Sequence, residues 1–208
     1  MATYDLTIPV SDEQIKKLRV GDQVRLTGIM VTARDAAHKY VIETFIRRDG
    51  PVPESERELY ADLKNWLKGS FIYHCGPVVR QDKDGKWHFV AAGPTTSIRE
   101  EPYQAEVIGH FGLKGVIGKG GMGVKTLQAC QDHKAVYLHA VGGAASLIAD
   151  SVKEVVAVEK MEFGVPEAFW VIRVEDFPAV VTMDSHGNSI HAEVEARSKE
   201  KLSALLGA

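Results

Sequence analysis

The sequence has only two cysteines, Cys75 and Cys130, and they do not form a C-x-x-C pair. Two thiolates cannot complete a four-cysteine zinc site or hold an iron–sulfur cluster by themselves. A disulfide between them is out of character for a cytosol-type sequence. Long apolar runs are also missing. No stretch approaches the roughly 18 residues of a membrane-spanning helix, and no charged-then-apolar leader opens the chain. Met1-Ala2-Thr3-Tyr4-Asp5 reads as the start of a mature, cytoplasmic domain. Basic residues are not in excess: 25 Lys and Arg stand against 28 Asp and Glu, a net charge of −3. No broad positive field therefore draws nucleic acid, and any anion site has to be local. Internal repeats and low-complexity linkers are absent as well.

What is present is an ordinary globular composition, 45% hydrophobic and 25% charged over 208 residues. That suits one domain spanning 1–208 with a real core. Ser11-Asp12-Glu13-Gln14 has the form of a capping box, with Ile15 and Leu18 following at helical spacing and Gly21-Asp22 as the stop. Residues 23–32 alternate polar and apolar, as a half-buried strand does. A helix is expected from residue 33 to about 47. Another is expected over 54–68, with Leu59, Leu63, Trp66 and Leu67 on one face and Gly69 as its stop. Residues 71–75 read as a strand, 81–86 as a hairpin turn and 87–91 as its return strand. Val116-Ile117 leads into a glycine-rich loop and a helix over 124–132. Residues 135–141 form a nearly continuous apolar run, the mark of a strand buried on both faces. A helix follows Gly142-Gly143 through Asp150. Strands are expected at 155–158, 168–174 and 179–183, then a turn at 184–188. An amphipathic helix over 192–206, with Lys199 and Lys201 late, closes the pattern. The fold class is α/β, with a mixed sheet and flanking helices. The β-rich first half argues against a simple doubly wound sheet.

The densest chemical signal is Gly118-Lys119-Gly120-Gly121-Met122-Gly123. It formally fits G-x-G-x-x-G, but the dinucleotide fingerprint needs an acid about 20 residues on, where Tyr137-Leu138-His139-Ala140 has none. A P-loop is excluded because Gly120, not Ser or Thr, follows Lys119. Two readings remain. The glycines simply permit positive φ in a strand-to-helix turn, or the loop presents N–H groups and an ammonium to a small carboxylate or phosphate at a helix N-terminus. Upstream, Thr95-Thr96-Ser97-Ile98-Arg99 is either a Pro-started loop capped by hydroxyls or a hydroxyl and guanidinium set out for an anion. A charge-assisted hydrogen bond contributes about 1.5–3 kcal/mol, so two or three cations hold a small diacid.

Arg34 and His38 stand at i, i+4, sharing a face if the segment is helical. They read as a surface ion-pair cluster or as part of a site. Asp184-Ser185-His186-Gly187-Asn188 is a hairpin turn or a polar set of catalytic type. His139, in an apolar strand, reads as a hydrogen-bonded core histidine. His186 and His191 lack zinc-site spacing.

Six segments in order carry a family resemblance. They are Thr32-Ala33-Arg34-Asp35-Ala36-Ala37-His38-Lys39, Gly93-Pro94-Thr95-Thr96-Ser97-Ile98-Arg99, Ile117-Gly118-Lys119-Gly120-Gly121-Met122, the run from Ala135 to Ala145, Glu162-Phe163-Gly164-Val165-Pro166-Glu167-Ala168, and Val181-Thr182-Met183-Asp184-Ser185-His186-Gly187-Asn188. Together they resemble the β subunit of class I, iron–sulfur fumarate hydratase or of L(+)-tartrate dehydratase, and the C-terminal domain of single-chain class I fumarases.

The resemblance implies a swivelling β/β/α-type domain. It implies a hydro-lyase that hydrates fumarate reversibly to L-malate, a step of the tricarboxylic acid cycle, or that dehydrates tartrate to oxaloacetate. A separate α subunit would hold a [4Fe-4S] cluster whose open iron acts on the substrate hydroxyl, in a hetero-oligomer with two copies of each subunit. This chain would bind no cofactor alone and would meet neither nucleic acid nor membrane. Arg34, Arg99 and Lys119 would bind the carboxylates of a small dicarboxylate. Thr95 would be the base, with Asp35, His38, Gly118, Gly120 and Gly121 around them and Asp35 or His38 as its activator. Glu100 departs from the pattern, where Met is expected, and puts an extra carboxylate beside Arg99. A non-catalytic anion-binding module that kept the glycine loop is the reading from another class.

Overall fold

Strand β2 (Gln23–Thr32) organises the chain; its burial alternates over Gln23–Leu26, as its sequence does, and is continuous over Met30–Thr32. The computed structural model describes residues 1–206. Around β2 run β1 (Thr3–Thr7), α1 (Asp12–Lys17), α2 (Asp35–Val41), α3 (Arg57–Leu67), β3 (Phe71–Tyr73), β4 (Val78–Gln81), β5 (Trp87–Ala91) and α4 (Glu101–Phe111). The rest comprises β6 (Gly115–Gly118), α5 (Val124–His133), β7 (Val136–His139), α6 (Ala145–Ala149), β8 (Val152–Glu159), β9 (Phe169–Met183) and α7 (Ile190–Leu206).

The large sheet has the order β1-β2-β3-β6-β7-β9-β8, and β9 also pairs with β2. Neighbours β1 to β7 are parallel, whereas β9 runs antiparallel to β2, β7 and β8. The pairings β2-β3-β6-β7-β9-β2 therefore form a closed circuit. It is a mixed sheet with flanking helices. The carboxyl ends of β2, β3, β6 and β7 all emerge on one side.

Side-chain alternation splits the core in two. Leu26, Met30, Phe71, Tyr73, Leu138, Trp170 and Ile172 belong to one buried cluster, with Ile15 of α1, Leu18 just past its end and Ile148 of α6. Their sheet neighbours Val31, Ile72, Val116, Tyr137, Phe169 and Val171 belong to the other, beneath α2, α3, α4 and α5. Fully burying one such side chain contributes about 1.5–3 kcal/mol. No helix among the described residues is long and apolar enough to cross a membrane.

Several sequence expectations shift. The helix expected from residue 33 starts at Asp35, with Arg34 extended at its N-cap, and passes into a π-turn over Ile42–Ile46. The two strands expected at 168–174 and 179–183 are one, because a left-handed Asp176 (φ 51°) bends β9 without ending it. Pro178, which has no N–H to give, sits just past that bend. Strand β1 and helix α4 had no forecast. The inward positions of α4 include Gln104, and Gly109 packs against His133, so its apolar stripe is broken. The capping box at Ser11 is real: its side chain accepts from Gln14 N, and Gln14 bonds back to Ser11 N. Helix α7 forms as expected but buries none of its residues.

Candidate functional site

The candidate residues gather where parallel strands end, the usual ligand-binding edge of α/β sheets. Arg34 follows β2, and His74-Cys75-Gly76 follows β3. Lys119 follows β6, and Gly142 lies just past β7. The loop carrying Thr95 is laced to two of these ends. Thr95 N donates to His74 O (2.7 Å), Lys119 N to Thr95 O (3.2 Å), and Ser97 N to Lys119 O (3.0 Å). Thr95 and Lys119 are thus fixed to each other through the main chain.

Glycines make this approach possible. A Cβ on Gly118 would stand 1.9 Å from Ser97 Oγ, so only glycine lets β6 end against the Thr95 loop. Gly121 (φ 82°) takes the left-handed turn, and a Cβ there would meet the His191 ring at 2.5 Å. Gly120 (φ 81°) turns beside it in the same left-handed region. The side chain of Lys119 then runs past Gly142.

The N-terminus of α5 is not the anion site that the sequence suggested. Glu101 already occupies it, accepting from Gly123 N (2.8 Å), Lys125 N (3.0 Å) and Thr126 Oγ1 (2.6 Å). An internal carboxylate satisfies the orphan donors of the first turn, leaving the cationic side chains to carry any ligand charge.

Arg34 lies between Gly76, whose Cβ would sit 2.6 Å from its guanidinium, and Glu167. Its Nε is 3.3 Å from Glu167 Oε1, an ionic contact without an aligned hydrogen bond, and Glu167 Oε2 accepts from Ala36 N at 3.0 Å. Glu167 therefore caps α2 while holding one edge of Arg34. Arg99 is half exposed, and its guanidinium is 3.4 Å from Asp35 Oδ2. Asp35 thus links the two arginines: it follows Arg34 in sequence and touches Arg99 in space.

The Thr95 hydroxyl donates to His74 O at 3.0 Å. The activators considered from sequence find other partners. Asp35 pairs with Arg99, and His38 is spent on Arg34 O (3.0 Å) and Gln104 (2.9 Å). His38 is buried, so Arg34 and His38 are not a surface ion-pair cluster.

Beneath the site lies a buried polar network of His38, His74, Ser97, Gln104 and Tyr137. His74 Nδ1 meets Ser97 Oγ at 2.9 Å, and Tyr137 donates to the same oxygen at 2.9 Å. The Gln104 amide sits 2.9 Å from Nε2 of both histidines. Burial pushes both imidazoles down from their ordinary pKa, His74 strongly. His38 Nδ1 donates to the Arg34 carbonyl. Ser97, accepting from Tyr137, has its own proton for His74 Nδ1, which leaves His74 Nε2 to donate to Gln104 Oε1, while the Gln104 nitrogen has no partner. Apart from His38, no motif pointed to this network, nor to Glu101 and Glu167 as partners. Glu167 was visible only as a letter in a motif, because its contact with Arg34 spans the whole domain.

The remaining candidates resolve simply. Asp184 is the hub of a turn and accepts from Val20 N, His186 N, Asn188 N and Asn188 Nδ2. His139 is half-buried at the end of β7. Cys75 and Cys130 are free and buried in the two different clusters, on opposite faces of the sheet. Burial pushes each thiol up to about 12, far from the thiolate a metal needs. Among the described residues, no group of three or more His, Cys, Asp or Glu could hold a metal ion. The described residues, with two buried thiols on opposite faces of the sheet, do not fit an iron–sulfur cluster.

Residues 2–194 match the family model described as Fumarase C-terminus. A Geobacillus stearothermophilus protein provisionally named fumarate hydratase class I is 53% identical over 95% of this chain, which spans 35% of that protein. The L(+)-tartrate dehydratase subunit beta of Escherichia coli is 42% identical over 90% of this chain and 86% of its own length. A Methanocaldococcus jannaschii protein provisionally named L(+)-tartrate dehydratase subunit beta is 42% identical, over 95% of this chain and 96% of its own.

Proposed function

Because the chain belongs to the fumarase C-terminus family, we propose that it is the β subunit of an iron–sulfur hydro-lyase. The reaction is the reversible hydration of fumarate to L-malate in the cytoplasm. The observation that carries this reading is the gathering of Arg34, Arg99 and Lys119 with Thr95 at the ends of β2, β3 and β6. Three cations on one open ledge suit a small dianion. The whole chain, 1–208, acts as one domain.

Each residue has a task. The outer edge of the Arg34 guanidinium, left free by Glu167, holds one substrate carboxylate. Arg99 and Lys119 hold the other. Thr95 Oγ faces the substrate carbon and, once its own hydroxyl proton has passed to solvent, takes the carbon's proton. A neutral hydroxyl is a weak base, and the positive charge of Arg99 and Lys119 favours an oxyanion there. The Lewis-acid chemistry of a [4Fe-4S] cluster belongs to a separate α subunit, since no residue set here accommodates it. The ledge is then one half of the site, in a complex with two copies of each subunit.

The chain spans 86% and 96% of two β subunits that it matches and 35% of the longer fumarate hydratase relative. Those same β subunits carry the name tartrate dehydratase, which makes dehydration of L(+)-tartrate the second reading. Anaerobic turnover of fumarate and L(+)-tartrate, with this chain alone and with the cluster-bearing α subunit, tests both. Activity in the complex only, with fumarate preferred, is the expected result. Turnover of neither diacid with an intact cluster would overturn the proposal.

A further inference from the structure

We infer that Glu100 and Asp35 share one proton, and that this acid pair sets how tightly Arg99 can hold a substrate carboxylate. The link to substrate rests on the function proposed above; the shared proton does not. Glu100 is 0% exposed, and neither of its carboxyl oxygens has a hydrogen-bond partner. Asp35 Oδ1 is likewise buried and unpartnered, while Asp35 Oδ2 faces Arg99 at 3.4 Å. Buried oxygens without partners are costly, and only Asp35, half-exposed at 47%, reaches solvent. Two ionised carboxylates cannot bond to each other, whereas a proton on Glu100 lets it donate to Asp35 within reach. That proton satisfies an oxygen on each side. Glu100 keeps it because Glu100 is the more deeply buried, and Asp35 keeps the charge that faces Arg99.

The surroundings leave few other charges to intervene. His38 faces Asp35 from α2, Arg99 lies on the same turn, Tyr137 faces Glu100 from β7, and His74 at the end of β3 lies near Arg99. Burial keeps both histidines neutral near pH 7 and pushes Tyr137 up to about 12. Burial, then the neighbouring Asp35, raises Glu100 to about 8, with Arg99 opposing. Below that pH, Glu100, Asp35 and Arg99 sum to zero charge. Above it the trio is negative, where a dianion must land. Glu100 is thus a positioning residue that acts through Arg99, and diacid affinity falls as pH rises through about 8.

Carbon-13 NMR of the full chain labelled at glutamate carboxyls tests the proton directly, with Glu100→Gln assigning the signal. The Glu100 resonance should titrate near pH 8, and the Arg99 side-chain 15N signal should follow it in the wild type but not in the variant. A Glu100 resonance that titrates below pH 6, or an Arg99 signal indifferent to it, would overturn the inference. Glu100→Met serves for assignment should the glutamine variant not fold. In the assembled enzyme, KM for fumarate should rise roughly threefold to tenfold from pH 7 to pH 9, with kcat following a different profile. Glu100→Gln should flatten that rise, and an equal rise in the variant counts against the coupling. Absence of diacid turnover would sink the proposed function while the NMR titration still decides the proton.

Discussion

Lys119 owes its place to its backbone more than to its side chain. Its N–H and C=O are both bonded to the Thr95 loop, so replacing the side chain leaves the lacing intact. Lys119→Ala and Arg99→Ala should therefore each cost about 2–4 kcal/mol of transition-state stabilisation, with unchanged circular dichroism. Steady-state kinetics of the assembled enzyme checks this, and near-normal turnover in either variant would remove that residue from the site. Thr95→Val keeps the shape but loses the oxygen. It should leave KM for the diacid within a few-fold and lower kcat by roughly 10²–10⁴. Single-turnover measurement separates the two. The cationic residues were legible in the sequence because each sits in a short, dense motif. Their pairings were not: Asp35 stood out only as a possible activator of Thr95, and Asp35–Arg99 and Arg34–Glu167 join segments far apart in the chain.

At the scale of elements, the site depends on how closely β6 and the Thr95 loop approach. Gly118→Ala places a methyl against Ser97 Oγ and should cost about 1–3 kcal/mol by urea denaturation. Ser97→Ala removes the obstructing oxygen. The double variant should therefore be more stable than the sum of the singles, and strict additivity would show that the contact is not the constraint. Helix and strand positions were largely readable, because Leu59, Leu63 and Leu67 repeat at helical spacing and 23–32 alternates. Helix α4 escaped because a buried Gln104 stands where an apolar residue is expected. That same glutamine joins the two buried histidines, so the break in pattern marks the network under the site. Of the two readings of the glycine loop, the anion-binding helix start meets an obstacle not visible locally, since the Glu101 carboxylate that fills that position comes from another element.

For the whole molecule, buried titratable groups set opposing slopes of stability with pH. Glu100 holds its proton up to about pH 8 when folded but only to about 4.5 when unfolded, so its contribution is lost progressively between those values as pH rises. His38 and His74 are depressed below 6.5, so their contribution is present above 6.5 and lost as pH falls below it. Above 6.5 only the Glu100 slope remains, so wild-type Tm should peak close to pH 6.5 and decline toward pH 8. In Glu100→Met the alkaline decline should disappear, with the gain in Tm larger at pH 8 than at pH 5. Calorimetry across that range checks it, and parallel profiles would show that Glu100 ionises freely. The closed strand circuit has a consequence for synthesis. β2 and β9 pair residues roughly 140 to 160 positions apart, and the ring lacks one wall until β9 exists. A nascent chain leaving the ribosome would carry β2, β3, β6 and β7 with an open edge while translation continues, at about 5–20 residues per second. The apolar interior between those strands waits unsealed for several seconds, the interval in which a chaperone, or a neighbouring copy's unpaired strand, has its chance to bind.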